Sequence, residues 1–404
     1  MTMDAQQDEF GAIELLSKLV RIPSVNGEEG RLGTFLAGWL ARAGLQVQTE
    51  EVAPGRRNVL AILPADSPDD QKELGMLFHG HMDTVPAHGM DDAFSGRIEN
   101  GFVWGRGSVD QKGGLAAAAV ALAALAQRQL RPQMPVGLIA VVDEESEHRG
   151  SMALAQSGLR ARRAIVTEPS GLRVVTGCKG TVPLHVRLVG KAAHGARPWL
   201  GVNAVEKGMH VASRMLEQRL PVVQLPDSST VSGSLNLGVM NGGVAYNIVP
   251  DRCDLWFDRR TVPGETQPEV LAEVQALLDE LAEADDTFQA EVQIARPDWA
   301  WEPIARRGLK ATVVPPDSGL PEWVSAHHQR IVGTAPERYF TDGYNEMDFL
   351  VNDMAIPTVQ YGPGDSGLCH TDEERLDVSQ LLTCVRVYLS LLEDVALTPR
   401  GAGK

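Results

Sequence analysis

The sequence predicts an α/β fold: a mixed sheet flanked by helices, interrupted by an inserted ferredoxin-like βαββαβ domain. Three observations lead there. Short apolar runs with strand character recur at 58–63, 75–79, 136–142, 164–167 and 356–361. Alanine-rich helical stretches such as 114–127 lie between some of them, and buried strands alternating with helices imply a sheet covered on both faces. From about 180 to 295 the rhythm changes to strand 181–189, helix 202–217, strands 234–240 and 248–258, helix 268–284 and strand 288–294. That order is the split βαβ unit.

The first fifty residues read as two helices and a strand. Phe10, Ile13, Leu16, Leu19 and Val20 recur at helical spacing until Ile22-Pro23 ends the run, and Leu32, Phe35, Leu36 and Leu40 form a second stripe. At roughly 150 residues per domain, the 404 residues make two or three domains. The division expected is 1–178 and 297–404 for the larger domain and 179–296 for the insertion. Hinge-like boundaries near 176–179 and 296–298 would permit lid closure.

Composition excludes several function classes. A net charge of −16, from 37 Lys and Arg against 53 Asp and Glu, disfavours nucleic acid and anionic membrane as partners. The opening MTMDAQQDEF lacks the basic and apolar regions of a signal peptide, and 115–126 is too short to span a bilayer. Cys178, Cys253, Cys369 and Cys384 form no CxxC pair and read as free thiols, so a cytoplasmic location is expected.

The chemistry lies beyond the apolar strands. One runs into His79-Gly80-His81-Met82-Asp83, a second into Asp143-Glu144-Glu145, a third into Glu168, and a fourth into a glycine-rich loop leading to His370. Open α/β sheets bind ligands beyond the carboxyl ends of their strands. A fifth segment, 105–114, sets Asp110 in a glycine-rich turn ahead of the alanine-rich helix, where alone it could simply cap that helix. Any one histidine or acid here has a bland reading as a surface or core group. Several carboxylates crowded at one sheet edge do not, because like charges raise one another's pKa and cost stability. A pair of divalent cations removes that cost. Imidazole plus carboxylate without a thiolate set suits zinc, with cobalt or manganese as rivals. No HExxH helix, GxSxG elbow, P-loop or GxGxxG competes.

At these residues the chain resembles the dinuclear zinc amidohydrolase family of acetylornithine deacetylase, succinyl-diaminopimelate desuccinylase, aminoacylase and glutamate carboxypeptidase. The likeness runs nearly end to end. It covers HGHMDTVP at 79–86, GRGSVDQKGG at 105–114, DEE at 143–145, TEPS at 167–170 and KAAHGARP at 191–198. It continues through GVNA at 201–204, NIVP at 247–250, DRRTVPGE at 258–265 and GPGDSGLCHTDEE at 362–374.

The resemblance implies a zinc-peptidase-like catalytic domain holding two divalent ions, with Asp110 bridging them. His81 and Glu168 would complete one site, Glu145 and His370 the other. Asp83 would orient His81. Glu144 would be the general base, taking a proton from the bridging water and delivering it to the leaving amine. The inserted domain would form a homodimer and carry His194 to the partner's active site as an oxyanion donor. Arg260 and Asn247 would hold the carboxylate of a small-molecule substrate. Many relatives carry a glycine-rich segment before Asp342-Gly343, whereas this chain has Arg338-Tyr339-Phe340-Thr341, whose bulk would narrow the acyl or side-chain pocket. Cys369, beside His370, reads as a small packing residue. The leading expectation is a deacylase of N-acyl amino acids. A dipeptidase or carboxypeptidase with the same metals is the alternative, and a non-catalytic scaffold of the same fold a further one.

Overall fold

The computed structural model describes residues 3–65, 73–128, 132–294 and 302–397. The boundary expected at 296–298 lies outside the described residues. The chain divides into two compact units, one of Met1–Gly177, Val313–Thr341 and Asn345–Lys404, the other of Cys178–Thr312 and Asp342–Tyr344.

In the first unit, Val136–Val141, Met76–His81, Ala164–Val166 and Thr358–Gln360 are successive parallel neighbours in one sheet. Arg56–Leu63 joins antiparallel beside Val136–Val141, and Gln46–Ala53 lies beyond it. The sheet is therefore mixed. Every residue of Met76–His81 and Val136–Val141 is buried, which is why both read as continuous apolar runs. Alternation along the strands assigns them to two cores. Met76, Phe78, Val136, Leu138 and Ala140 pack on one face; Leu77, Ile139 and Val141 pack on the other with Leu154, Met347 and Leu350. Burying each of the larger side chains contributes about 1.5–3 kcal/mol.

Helix Lys112–Gln127 lies on the first face, against Met3–Val20 and Val378–Leu397. Its residues from Lys112 to Leu125 are all buried, so alanine serves for close packing on every side. Gly114 is obligatory, because a Cβ there would stand 1.9 Å from the Thr167 carbonyl oxygen. Among the described residues no helix is long and apolar enough to cross a membrane.

The second unit is a four-stranded antiparallel sheet in the order Ser234–Gly242, Arg252–Thr261, Gly180–Val189, Ala290–Ile294. Helices Ala204–Leu216 and Gln267–Ala284 cover one face, where Val211, Met215, Val274 and Leu278 meet Leu184, Val186, Leu255 and Phe257. Asn203 caps the first helix by accepting from Val205 N at 3.0 Å and Glu206 N at 3.3 Å. Thr266 and Glu269 form a capping box on the second. The strand expected from 248 begins at Arg252, after Pro250, which has no N–H to give a ladder. The structure adds short strands at Val174–Cys178 and Arg338–Thr341 and the hairpin Val222–Gln224 with Thr230–Ser232, none of which the sequence pattern predicts. Runs of three to five residues show too little periodicity to stand out.

Candidate metal centre

His81 ends the strand Met76–His81, Glu144 and Glu145 follow Val136–Val141, and Glu168 follows Ala164–Val166. The chain leaving Thr358–Gln360 reaches His370. Since these strands are parallel neighbours, their carboxyl ends share one edge. Asp110 arrives from the loop before Lys112–Gln127. It does not cap that helix: Gln111 is the N-cap, without a side-chain bond.

The two oxygens of Asp110 face different imidazoles. Oδ1 lies 3.0 Å from His81 Nε2, and Oδ2 lies 3.2 Å from His370 Nε2. His370 Nε2 is also 3.1 Å from Glu145 Oε1. His81 Nε2 is 3.4 Å from Glu168 Oε1 and 3.9 Å from Glu144 Oε2. Donor atoms of His81, Glu144 and Glu168, and of His81, Asp110 and Glu145, lie within 4.8 Å of one another. Asp143 and His370 hold left-handed backbone at φ 72° and 62°, a strain that clusters at functional sites.

Burial and mutual repulsion govern the charges. Burial, then the neighbouring Asp110, pushes the Glu168 carboxyl up to about 7. Burial lifts Glu144 and Glu145 as well, with other carboxylates adding to it. Burial opposes the charged form of Asp110, but hydrogen bonds from His370 and His81 outweigh it and hold the carboxyl well below its ordinary range. Burial likewise pulls His81 down, and its bonds to Asp110, Asp83 and Glu168 override that to raise it. The bonds of His370 to Asp110 and Glu145 raise it to about 10. A cluster that must protonate acids to relieve its own crowding is one that divalent cations fit. The donors, imidazole nitrogen and carboxylate oxygen, suit zinc, cobalt or manganese.

Residues 77–394 match the sequence model of peptidase family M20/M25/M40. The chain belongs to that family. It is therefore a hydrolase of the M20 class, which acts on peptide and other amide bonds. It is 28% identical to a probable carboxypeptidase of Aspergillus clavatus, over 96% of this chain and 90% of the relative. It is 29% identical to an acetylornithine deacetylase of Salmonella arizonae, over 90% of this chain and 92% of the relative. Its fold matches an M20 family metallo-carboxypeptidase from Sulfolobus solfataricus with a TM-score of 0.79 at 16% identity, covering 96% of this chain and 99% of that one.

In this M20 chain a second layer of polar groups holds the cluster in place. Asp83 Oδ1 accepts from Glu144 N at 3.1 Å, and Oδ2 from Glu145 N at 2.9 Å and Asn26 Nδ2 at 3.0 Å. One carboxylate thus fixes the backbone of both glutamates. His81 Nδ1 lies 3.0 Å from the Asp83 carbonyl oxygen and 3.5 Å from its carboxylate, so the main chain provides the closer contact. Asn26 Nδ2 and Arg56 Nη2 donate to Asp143 Oδ1 at 3.0 and 2.7 Å, and Arg56 Nε donates to the buried Glu29 at 2.8 Å. Gln111 Nε2 donates to Glu168, and its Oε1 accepts from Thr167 Oγ1 at 2.6 Å. Sequence reasoning singled out neither Asn26, Arg56 nor Gln111. Only Gln111 carried a signal, standing next to Asp110.

His194, Asn247 and Arg260 belong to the second unit. His194 is exposed, and its Nδ1 accepts from Ala196 N–H at 3.0 Å, which leaves the proton of the neutral ring on Nε2. Gly195 N donates to the Asn247 carbonyl at 2.8 Å, placing that residue beside His194. Arg260 Nε donates to Asp258 Oδ2 at 3.0 Å with part of the side chain exposed.

Proposed function

We propose that the chain is a two-metal deacylase that hydrolyses the amide bond of N-acyl amino acids. The observation that carries this reading is the pair of imidazoles facing the two oxygens of Asp110, with Glu144 beside His81. Asp110, His81 and Glu168 would hold one divalent ion, and Asp110, Glu145 and His370 the other, zinc being the natural choice for this donor set. Bound there, the ions would supply Lewis-acid charge to the scissile carbonyl.

Glu144 would accept the attacking water's proton at its carboxylate and return it to the leaving nitrogen. Asp83 would keep that carboxylate aimed, through the two amides it binds. Arg260 would take the substrate carboxylate with its guanidinium, Asn247 would assist, and the Nε2 proton of His194 would serve the developing oxyanion in the active site of the partner subunit.

The likeness to the Salmonella deacetylase favours a deacylase; the likeness to the Aspergillus carboxypeptidase favours a peptidase reading on the same centre. A hydrolysis panel of N-acetyl, N-succinyl and N-formyl amino acids beside dipeptides, run with added zinc or cobalt, separates them. The expected result is turnover confined to acyl amino acids. Turnover of the dipeptides alone overturns it.

The second unit would make a homodimer, in keeping with a cytoplasmic enzyme. Its sheet ends on Ser234–Gly242, an edge strand exposing Val239 and Met240, and an unpaired edge is a template for a second copy. Light scattering is expected to give a dimer mass, and a fully active monomer would refute this.

A further inference from the structure

Arg106 and Glu374 form an ion pair, Nη1 to Oε2 at 2.6 Å, with side chains only 2% and 1% exposed. Burying two full charges rarely gains stability over a well-packed apolar pair, so what this pair positions matters more than its attraction. The other oxygen, Glu374 Oε1, accepts from Val109 N at 2.9 Å and from Asp110 N at 3.1 Å. One carboxylate therefore holds the amide of the residue that faces both imidazoles.

Glu374 lies on the segment that carries His370, four residues further along. Its carbonyl accepts from Gly105 N at 3.1 Å, and the strand that starts at Arg375 pairs with Phe102–Trp104. His370 itself is half exposed, in left-handed backbone on a loop. The segment bearing His370 is thus tied, through Glu374, to the loop bearing Asp110.

We infer that Glu374, locked by Arg106, is a positioning residue that sets Asp110 and His370 at their common distance and so sets the affinity of the second ion. The inference rests on the two-metal reading above. Glu374 touches no reacting atom; it acts through the main chain of Asp110 and the loop of His370. A glutamine at 374 keeps the shape but has one acceptor end and one donor end. Turned either way, it sets an NH₂ group against Arg106 or against the two amides, and one of the two contacts is lost.

The test is titration of the metal-free full chain with Co²⁺, followed by calorimetry and by the visible spectrum of the bound ion, for wild type and Glu374→Gln. Wild type is expected to bind two ions. Glu374→Gln is expected to bind the second about tenfold or more weakly, with the first affected less, as for other groups that orient metal ligands. Wild-type affinity at both sites, even with a lowered melting temperature, would overturn the inference and leave the pair a purely structural role. Equal weakening of both sites would overturn it too. Should Glu374→Gln not fold, Arg106→Lys keeps a cation against Glu374 without the planar guanidinium, and the same selective weakening, smaller, is expected; unchanged affinities refute it. A wild type that binds fewer than two ions would instead refute the two-metal reading.

Discussion

Glu144→Ala should lower kcat by about a thousandfold while leaving two ions bound per chain, the size of effect that loss of a positioned proton carrier produces. The carboxylate stands 3.9 Å from His81 Nε2, further than those of Asp110 and Glu168, which favours Glu144 as the proton acceptor over a ligand role in the group of His81, Glu144 and Glu168. It is also the residue whose amide Asp83 grips, next to the amide of Glu145. That arrangement would fix the proposed proton acceptor, Glu144, relative to the proposed ligand, Glu145, by one peptide unit. The measurement is metal content together with steady-state rates on the substrate the panel selects. Activity close to wild type would remove Glu144 as the base. Loss of metal along with activity would make it a ligand.

How far the site could be read from sequence follows the backbone. His81, Glu144, Glu145 and Glu168 were legible because each follows a buried strand, and parallel neighbours deliver their carboxyl ends to one edge. Asp110 and His370 come from loops, His370 down the glycine-rich loop that leaves a fourth strand and Asp110 in a glycine-rich turn, so no periodicity points either side chain inward. Among the supporting groups Asp83 was legible, two residues past His81, and the rest were beyond reach. Glu374 meets Val109 across 265 positions, Arg56 meets Asp143 across 87, and Asn26 meets Asp83 across 57, so nothing local marks them. The mixed α/β sheet itself was legible from the apolar runs, whereas strands as short as Arg338–Thr341 were not, because tertiary pairing and not local pattern creates them.

Removing the ions should abolish activity and lower the melting temperature by an amount that grows with pH, and adding zinc or cobalt should restore both. At free metal about a hundredfold above Kd, each occupied site stabilises the fold by ~2.7 kcal/mol. The pH dependence comes from the metal-free state. A carboxyl whose folded pKa is raised adds stability below its unfolded value, near 4.5, and loses it as pH climbs through the folded one. Glu168, at about 7, does this between its ordinary value and about 7, and Glu144 and Glu145 are shifted in the same direction. His370, raised to about 10 by Asp110 and Glu145, also gives up stability as the pH rises above its ordinary value toward 10. Asp83 acts the other way: hydrogen bonds outweigh burial and hold it at about 2, so its contribution stays constant through this window. Ions replace the protons and remove the penalty, since ligands bind metal in their deprotonated forms. Melting curves of metal-free and reconstituted protein at about pH 5.5 and about pH 8 are the check, and the gain should be larger at the higher value, where protons no longer compete. A gain that is flat or falls with pH would mean that these acids and His370 do not hold the ions.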